Sequence, residues 1–172
     1  MPRSERPDMA SYGVTDDPDG LLPWAWAEER LLTTRNFWFV TCDGAGRPHS
    51  MPVWGVWMPD VERWGTSCAP TARKARNLRA NDRVVVTTDD GVECVSIEGR
   101  AVRLAGDEVD HMARAWALKY ADLVEAHTEE QIRETIEFVR GNAAYAVIPE
   151  RAFGMIETPE RFATAATRWV WD

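Results

Sequence analysis

The chain has 172 residues, 45% of them hydrophobic and 28% charged, which suits one soluble globular domain and leaves no room for two ordinary domains with a linker. Its formal net charge of −8 disfavours a nucleic-acid or anionic-membrane partner, because such contacts rest on clustered Lys and Arg. No apolar run approaches the roughly 18 residues of a membrane span, and Met1 to Gly20 holds no apolar stretch for a secretory signal, so a cytoplasmic protein is expected.

In chain order, residues 1–20 carry Pro2, Pro7, Pro18 and Asp16-Asp17 without apolar periodicity, and are expected to be a disordered or loosely attached tail before a single domain at 21–172. Pro23 suits the start of a helix that runs to about Arg35, with Trp24, Ala27, Leu31 and Leu32 on one face. Strand-like runs at 37–42, 48–57 and 62–68 are separated by Asp43-Gly44-Ala45-Gly46 and Met58-Pro59-Asp60, and read as a meander of antiparallel hairpins. Residues 71–80 have helical spacing, and runs at 83–88 and 93–104 make another hairpin through Asp89-Asp90-Gly91.

Asp107 heads a helix whose apolar positions Val109, Met112, Ala113, Trp116, Ala117 and Tyr120 fall on one stripe. Thr128 and Gln131 form a capping-box signature for the next helix, and Gly141 closes it. Runs at 144–148, 152–157 and 162–171 are again β-like, which gives an α+β, predominantly β architecture: an antiparallel barrel with helices at its rim. Cys42, Cys68 and Cys94 lack C-x-x-C spacing and are expected to be buried, reduced thiols, with neither a disulfide framework nor a zinc site.

Two segments carry chemistry. If residues 48–57 form a strand, His49, Met51, Val53 and Trp57 share one face and Ser50, Pro52, Trp54 and Val56 the other. Both faces are largely apolar, which fits either plain core or a strand whose second face meets a partner subunit or a planar ligand. Pro52 points to an edge or a bulge. The second segment runs from Arg73 to Arg83 and holds Arg73, Lys74, Arg76, Arg79 and Arg83 against one acid, Asp82.

Cations in the first turn of a helix oppose its dipole unless an anion is present to receive them. A phosphate there would take Lys74 as a point charge, Arg73 as a fork of donors and Asn77 as an amide donor. The competing reading is a solvated cationic helix face. The segment is not a P-loop, since the glycines and the G-K-[ST] ending are missing. Of the nine tryptophans, six crowd residues 24–64; most suit core or interface packing, with Trp54 and Trp169 as candidates for a pocket wall. His49 reads as a structural strand residue or as a proton donor.

The run Gly46-Arg47-Pro48-His49-Ser50-Met51-Pro52-Val53-Trp54, then Arg73-Lys74-x-x-Asn77-Leu78 and Asn81-Asp82-Arg83-Val84, resembles the pyridoxamine 5′-phosphate oxidase-like, FMN-binding split-barrel superfamily. Within it the chain is most similar to the actinobacterial flavin/deazaflavin oxidoreductases, which include coenzyme F420-dependent reductases. Ile97-Glu98-Gly99 and Ala166-Thr167-Arg168-Trp169 are further marks, and the resemblance spans about Pro23 to Trp171.

The resemblance implies a split barrel of six to eight strands, a homodimer with two cofactor sites at the subunit interface, and hydride chemistry carried by F420 or FMN. By position, Met51, Pro52, Val53 and Trp54 would lie along the cofactor ring, Thr66 and Ser67 at its polar edge, and Lys74 with Arg73 at its phosphate. Asn77 would support that loop, while Trp169 and residues near Val92 to Cys94 would come from the other subunit. The implied reaction is hydride transfer to a small planar unsaturated acceptor, with no nucleic acid or membrane partner. The sequence departs from some relatives by having Ala72 where they carry a second basic residue.

Two lysines against eighteen arginines match a GC-rich genome of the actinobacterial kind, which tilts the cofactor toward F420; its acidic tail would use a groove such as Arg73, Arg76 and Arg79. The alternative is a non-catalytic flavin, deazaflavin or haem carrier, for which only His49, His111 and His127 offer axial ligands. True pyridoxamine phosphate oxidation fits less well, because the chain ends Arg168-Trp169-Val170-Trp171-Asp172 without that enzyme's Arg- and His-bearing substrate motif.

Overall fold

The structure, a computed structural model, describes all residues from Met1 to Asp172. Its strands are β1 (Arg3–Glu5), β2 (Asn36–Cys42), β3 (Pro48–Trp54), β4 (Val56–Met58), β5 (Arg63–Cys68), β6 (Arg83–Thr88), β7 (Glu93–Arg103), β8 (Ala143–Ile156) and β9 (Thr167–Val170). The helices are α1 (Trp24–Thr33), α2 (Arg73–Ala80), α3 (Asp107–Lys119), α4 (Ala121–Val124), α5 (Glu129–Arg140) and α6 (Phe162–Ala165). All strand pairs are antiparallel, in the order β1-β9-β8-β7-β6-β2-β3, with β5 joining β4 to β8.

The long strand β8 organises the barrel. Along one edge it pairs with β7 throughout; along the other, Ala143 to Val147 pair with β5 and Arg151 to Gly154 pair with β9. The sequence reading breaks this strand in two around Pro149, but the register slips at Glu98/Gly99 and the bulge accommodates the proline. Gly99 is required there, since a Cβ would fall 2.1 Å from the Ile148 carbonyl oxygen.

Strands β2, β6 and β7 alternate inward and outward side chains, and the inward set packs with α1 into one core containing Phe37, Phe39, Trp57, Trp64, Val86 and Ile97. Trp24 of α1 meets Trp57, Trp169 and Trp171 edge-on, with centroids 5.6, 5.5 and 5.0 Å away. A second core forms where α3 and α5 cover β4 and the start of β8 through Val56, Met58, Met112, Val139 and Ala146. The Thr128–Gln131 capping box is present at the head of α5.

The α+β split barrel is thus as expected, with nine strands in place of six to eight. One extra strand comes from the predicted run 48–57, which breaks at Gly55 because a Cβ there would sit 2.0 Å from the Trp64 indole. The other comes from the N-terminus, where the expected loose attachment is corrected. Arg3–Glu5 pair with β9, and the Arg6 guanidinium donates to the carbonyls of Asp17, Asp19, Thr164 and Ala166. Apolar periodicity is blind to such a tether, since three ladder residues and one arginine supply it. The cysteines are unpaired and half-buried, not buried as expected.

Candidate functional site

The barrel opens between β3 and β5. Ladder pairing is absent there, and the gap is stitched where the Thr66 hydroxyl donates to the Trp54 carbonyl at 2.7 Å. Thr66 is therefore buried, and Ser67 beside it is half-buried. On β3, Thr41↔His49, Phe39↔Met51 and Phe37↔Val53 are direct cross-strand partners, so His49, Met51 and Val53 share the side of the sheet that faces the core. They extend beyond it: Met51 keeps 44% of its surface, Val53 is half-buried, and Pro52 on the opposite face is exposed. Pro52 lies on an edge strand, where its missing N–H costs no ladder bond.

Helix α2 is set against this edge by a buried hydrogen bond, beside the packing of Ala75 and Leu78. Asn77 is 5% exposed and its side-chain amide donates to the Thr41 hydroxyl at 2.9 Å. Because Thr41 pairs with His49, that bond brings the first turn of α2 toward β3. The His49 imidazole is held below its ordinary pKa by burial and then by the positive charges of Arg73 and Lys74, and its Nδ1 is buried without a partner. The helix start is bare: Ala72 supplies no side-chain cap, and no acid occupies the first turn. Unpaired N–H groups, two cationic side chains and a neutral imidazole thus converge at one end of the split.

The Cys68 thiol follows Ser67 and is pushed up by burial, against the opposing pull of Lys74 and Arg103. Of the expected residues, Arg73, Lys74 and Asn77 stand beside the His49 end of β3, and Thr66 reaches Trp54 across the gap; Pro52 and Trp54 lie on the opposite face of β3 from Met51 and Val53. Arg76 and Arg79 turn back toward the loop before α2, donating to the carbonyls of Thr71 at 2.5 Å and Pro70 at 3.4 Å.

Trp169 does not join them. It is fully buried in the core against Trp24, and the Cβ position of Gly154 lies 2.4 Å from its ring, so its role as a pocket wall is corrected to packing. The C-terminal aromatic run gave no sign of this, because side-chain direction there depends on β9 pairing with β8. Val92, in the turn before β7, keeps 50% of its surface.

Sequence reasoning missed the brace behind Trp54. Its ring stacks on Tyr120 at 5.1 Å and 14°, and Trp116 leans on both. The Tyr120 hydroxyl accepts from the Gly55 N–H at 3.0 Å and donates to the Arg35 carbonyl at 2.7 Å. Lys119 Nζ donates to the carbonyls of Leu31 and Gly55, at 3.2 and 3.1 Å. The i, i+4 spacing of Trp116 and Tyr120 was visible, but read only as the packing stripe of a helix.

An antiparallel barrel split at one edge, with a helix across its mouth, defines the split-barrel class of protein. The chain belongs to the pyridoxamine 5′-phosphate oxidase family, whose model matches residues 26–148. The same fold occurs in conserved hypothetical protein Rv2991 from Mycobacterium tuberculosis, with 18% identity over 78% of this chain and 84% of that one, TM-score 0.67. It also occurs in a haem-binding protein from Mycobacterium smegmatis, with 18% identity over 84% of this chain and 62% of that one, TM-score 0.60. An F420 reductase shares it at 16% identity over 73% of this chain and 94% of that one, TM-score 0.54. Among curated proteins, no match was found.

Proposed function

We propose that this protein is an oxidoreductase that binds F420, or failing that FMN, at a homodimer interface and serves hydride transfer to a small planar unsaturated acceptor. The observation that carries the reading is the uncapped start of α2, where Arg73 and Lys74 face an open apolar edge, β3, instead of a carboxylate. A phosphate fits that donor set: the backbone N–H groups of Arg73 and Lys74, an ammonium and a guanidinium fork. Met51 and Val53 offer an apolar bed for a flat ring, with Ser67 at its polar margin.

When bound, the cofactor supplies the hydride; the chain's own residues hold, orient and shield. Lys74 and Arg73 anchor the phosphate, Asn77 fixes their helix to β2, and Trp54 is kept in place by Tyr120. The F420 reductase among the structural neighbours and the family itself support a cofactor of this kind. A cytoplasmic setting is part of the same proposal; no helix is long and apolar enough to cross a membrane.

The second reading, a haem or flavin carrier, draws on the Mycobacterium smegmatis haem-binding neighbour. Of the histidines, His111 and His127 face Asp60 and Asp122 on or near the helical insertion, which leaves His49 as the one candidate axial ligand beside the split. Titration of the apo-protein with F420, FMN and haem separates the readings, since a Soret band with tight haem uptake overturns the reductase. Lys74→Ala is expected to weaken F420 or FMN by about tenfold or more, the loss of one charge-assisted contact. Equal affinity in the variant removes Lys74 from the phosphate site.

A further inference from the structure

Between α2 and the ends of β7 and β8 lies a cleft of about 430 Å³. Its charged side chains are Arg79 and Arg103 alone; no carboxylate lines it, although the chain carries 28 acidic residues. Each guanidinium is steadied by the main chain. Arg79 donates to the Pro70 carbonyl at 3.4 Å, and Arg103 donates to the Asn142 carbonyl at 3.0 Å. Each has five N–H donors, so most remain free, and neither side chain makes an ion pair. Other arginines on the sheet are matched to acids, among them Arg100 with Asp82 and Glu150, and Arg151 with Glu98.

The rest of the cleft is apolar. Leu78, Ala101 and Ala143 line it, and the Tyr145 ring lies beneath the Arg103 guanidinium, 5.2 Å from its centroid. Two exposed guanidinium forks with donors to spare, over an aromatic and aliphatic floor, suit an acid with an organic body better than an inorganic ion, which would gain nothing from the walls. The volume is that of a small-molecule site.

We propose that the Arg79–Arg103–Tyr145 cleft binds an organic carboxylate. The acid group sits between the two guanidiniums and the body packs on Tyr145 and Leu78. The cleft adjoins the start of α2, since Ala72 and Ala75 pack with Ala143 and Tyr145, but none of Arg73, Lys74 or Asn77 lines it. Its ligand is either a free small acid or the carboxylate-bearing portion of a larger molecule reaching across the mouth.

The test is calorimetric titration of the full chain with benzoate, with benzamide as the neutral counterpart. Saturable binding of benzoate at one site per chain is expected, with none for benzamide. Arg79→Gln and Arg103→Gln should each weaken it by about tenfold, the loss of one charge-assisted fork. Arg133→Gln, on the exposed face of α5, should leave it unchanged. Thermal melts of the same variants establish that they fold. Absence of saturable binding, equal binding of benzamide, or folded Gln variants with undiminished affinity overturns the proposal. Repeating the titration with excess F420 or excess FMN distinguishes the two sources. Competition by F420, with its acidic tail, but not by FMN assigns the cleft to the larger ligand; binding alongside both assigns it to a free acid.

Discussion

Asn77 carries more of the site than its type suggests. It is buried, its one side-chain bond goes to Thr41 Oγ1, and through it the first turn of α2 is fixed over the β2–β3 hairpin. Asn77→Ala should cost about 1–3 kcal/mol in urea unfolding, because the Thr41 hydroxyl is left buried without its partner. Thr41→Val combined with Asn77→Leu should recover much of that loss, as both polar groups then go together. If Asn77→Ala unfolds like the parent, α2 is held by Ala75 and Leu78 packing instead. The Lys74–Asn77 spacing was legible in the sequence, since both fall in one short helix. That the amide faces Thr41 and not a ligand was not, because helical spacing fixes a face and not its occupant.

Among the elements, α3 does the least expected work. It buries Val109, Met112 and Ala113 as its periodicity requires, and then places Lys119 and Tyr120 at the Gly55 break between β3 and β4. Lys119 lies 4.7 Å from the Phe37 ring centroid, and burial lowers its pKa from 10.5 to about 8. The unfolded chain holds this proton to about pH 10.5 and the folded chain only to about 8. Between those values the unfolded state binds more protons, so this group's contribution to stability rises with pH; below about 8 the full cost of burying the ammonium is present.

Wild type should therefore gain on Lys119→Met as the pH is raised from 7 to 10, read as the difference between their urea midpoints. A difference that stays constant, or moves the other way, places the ammonium in water. Tyr120, whose pKa burial raises to about 12, titrates in both proteins and cancels from the comparison. The sequence outlined α3 well, but its anchoring needed the strand break, which rests on the approach of Trp64 to Gly55.

At the scale of the whole molecule, the proposed dimer is expected to use the outer face of the sheet. One cross-strand row runs Pro52, Trp38, Thr87, Ser96, Phe153 without a charge before it reaches Arg168 and Glu5. Trp38 keeps 46% of its surface there, although every other large aromatic of β2 is in the core. A neutral, partly aromatic row on an acidic chain is what a subunit contact requires. Trp38→Arg is expected to raise the dimer dissociation constant at least about tenfold, in sedimentation or light scattering, while leaving the melting temperature of the monomer nearly unchanged. A wild-type chain that is monomeric at high micromolar concentration overturns the dimer itself.

The sequence alone determined the antiparallel barrel, its rim helices and the cationic start of α2, because each rests on local signals: alternation, capping residues, turn chemistry and charge. Only the tertiary structure decided that β8 serves two strands along one edge, that Arg6 ties the first residues to the last strand, and that Trp169 faces inward while Trp38 faces out. Those choices depend on which strands meet and in what register. Residues 151–154 of one strand and 167–170 of another share no local pattern; their pairing is settled by the closure of the whole barrel.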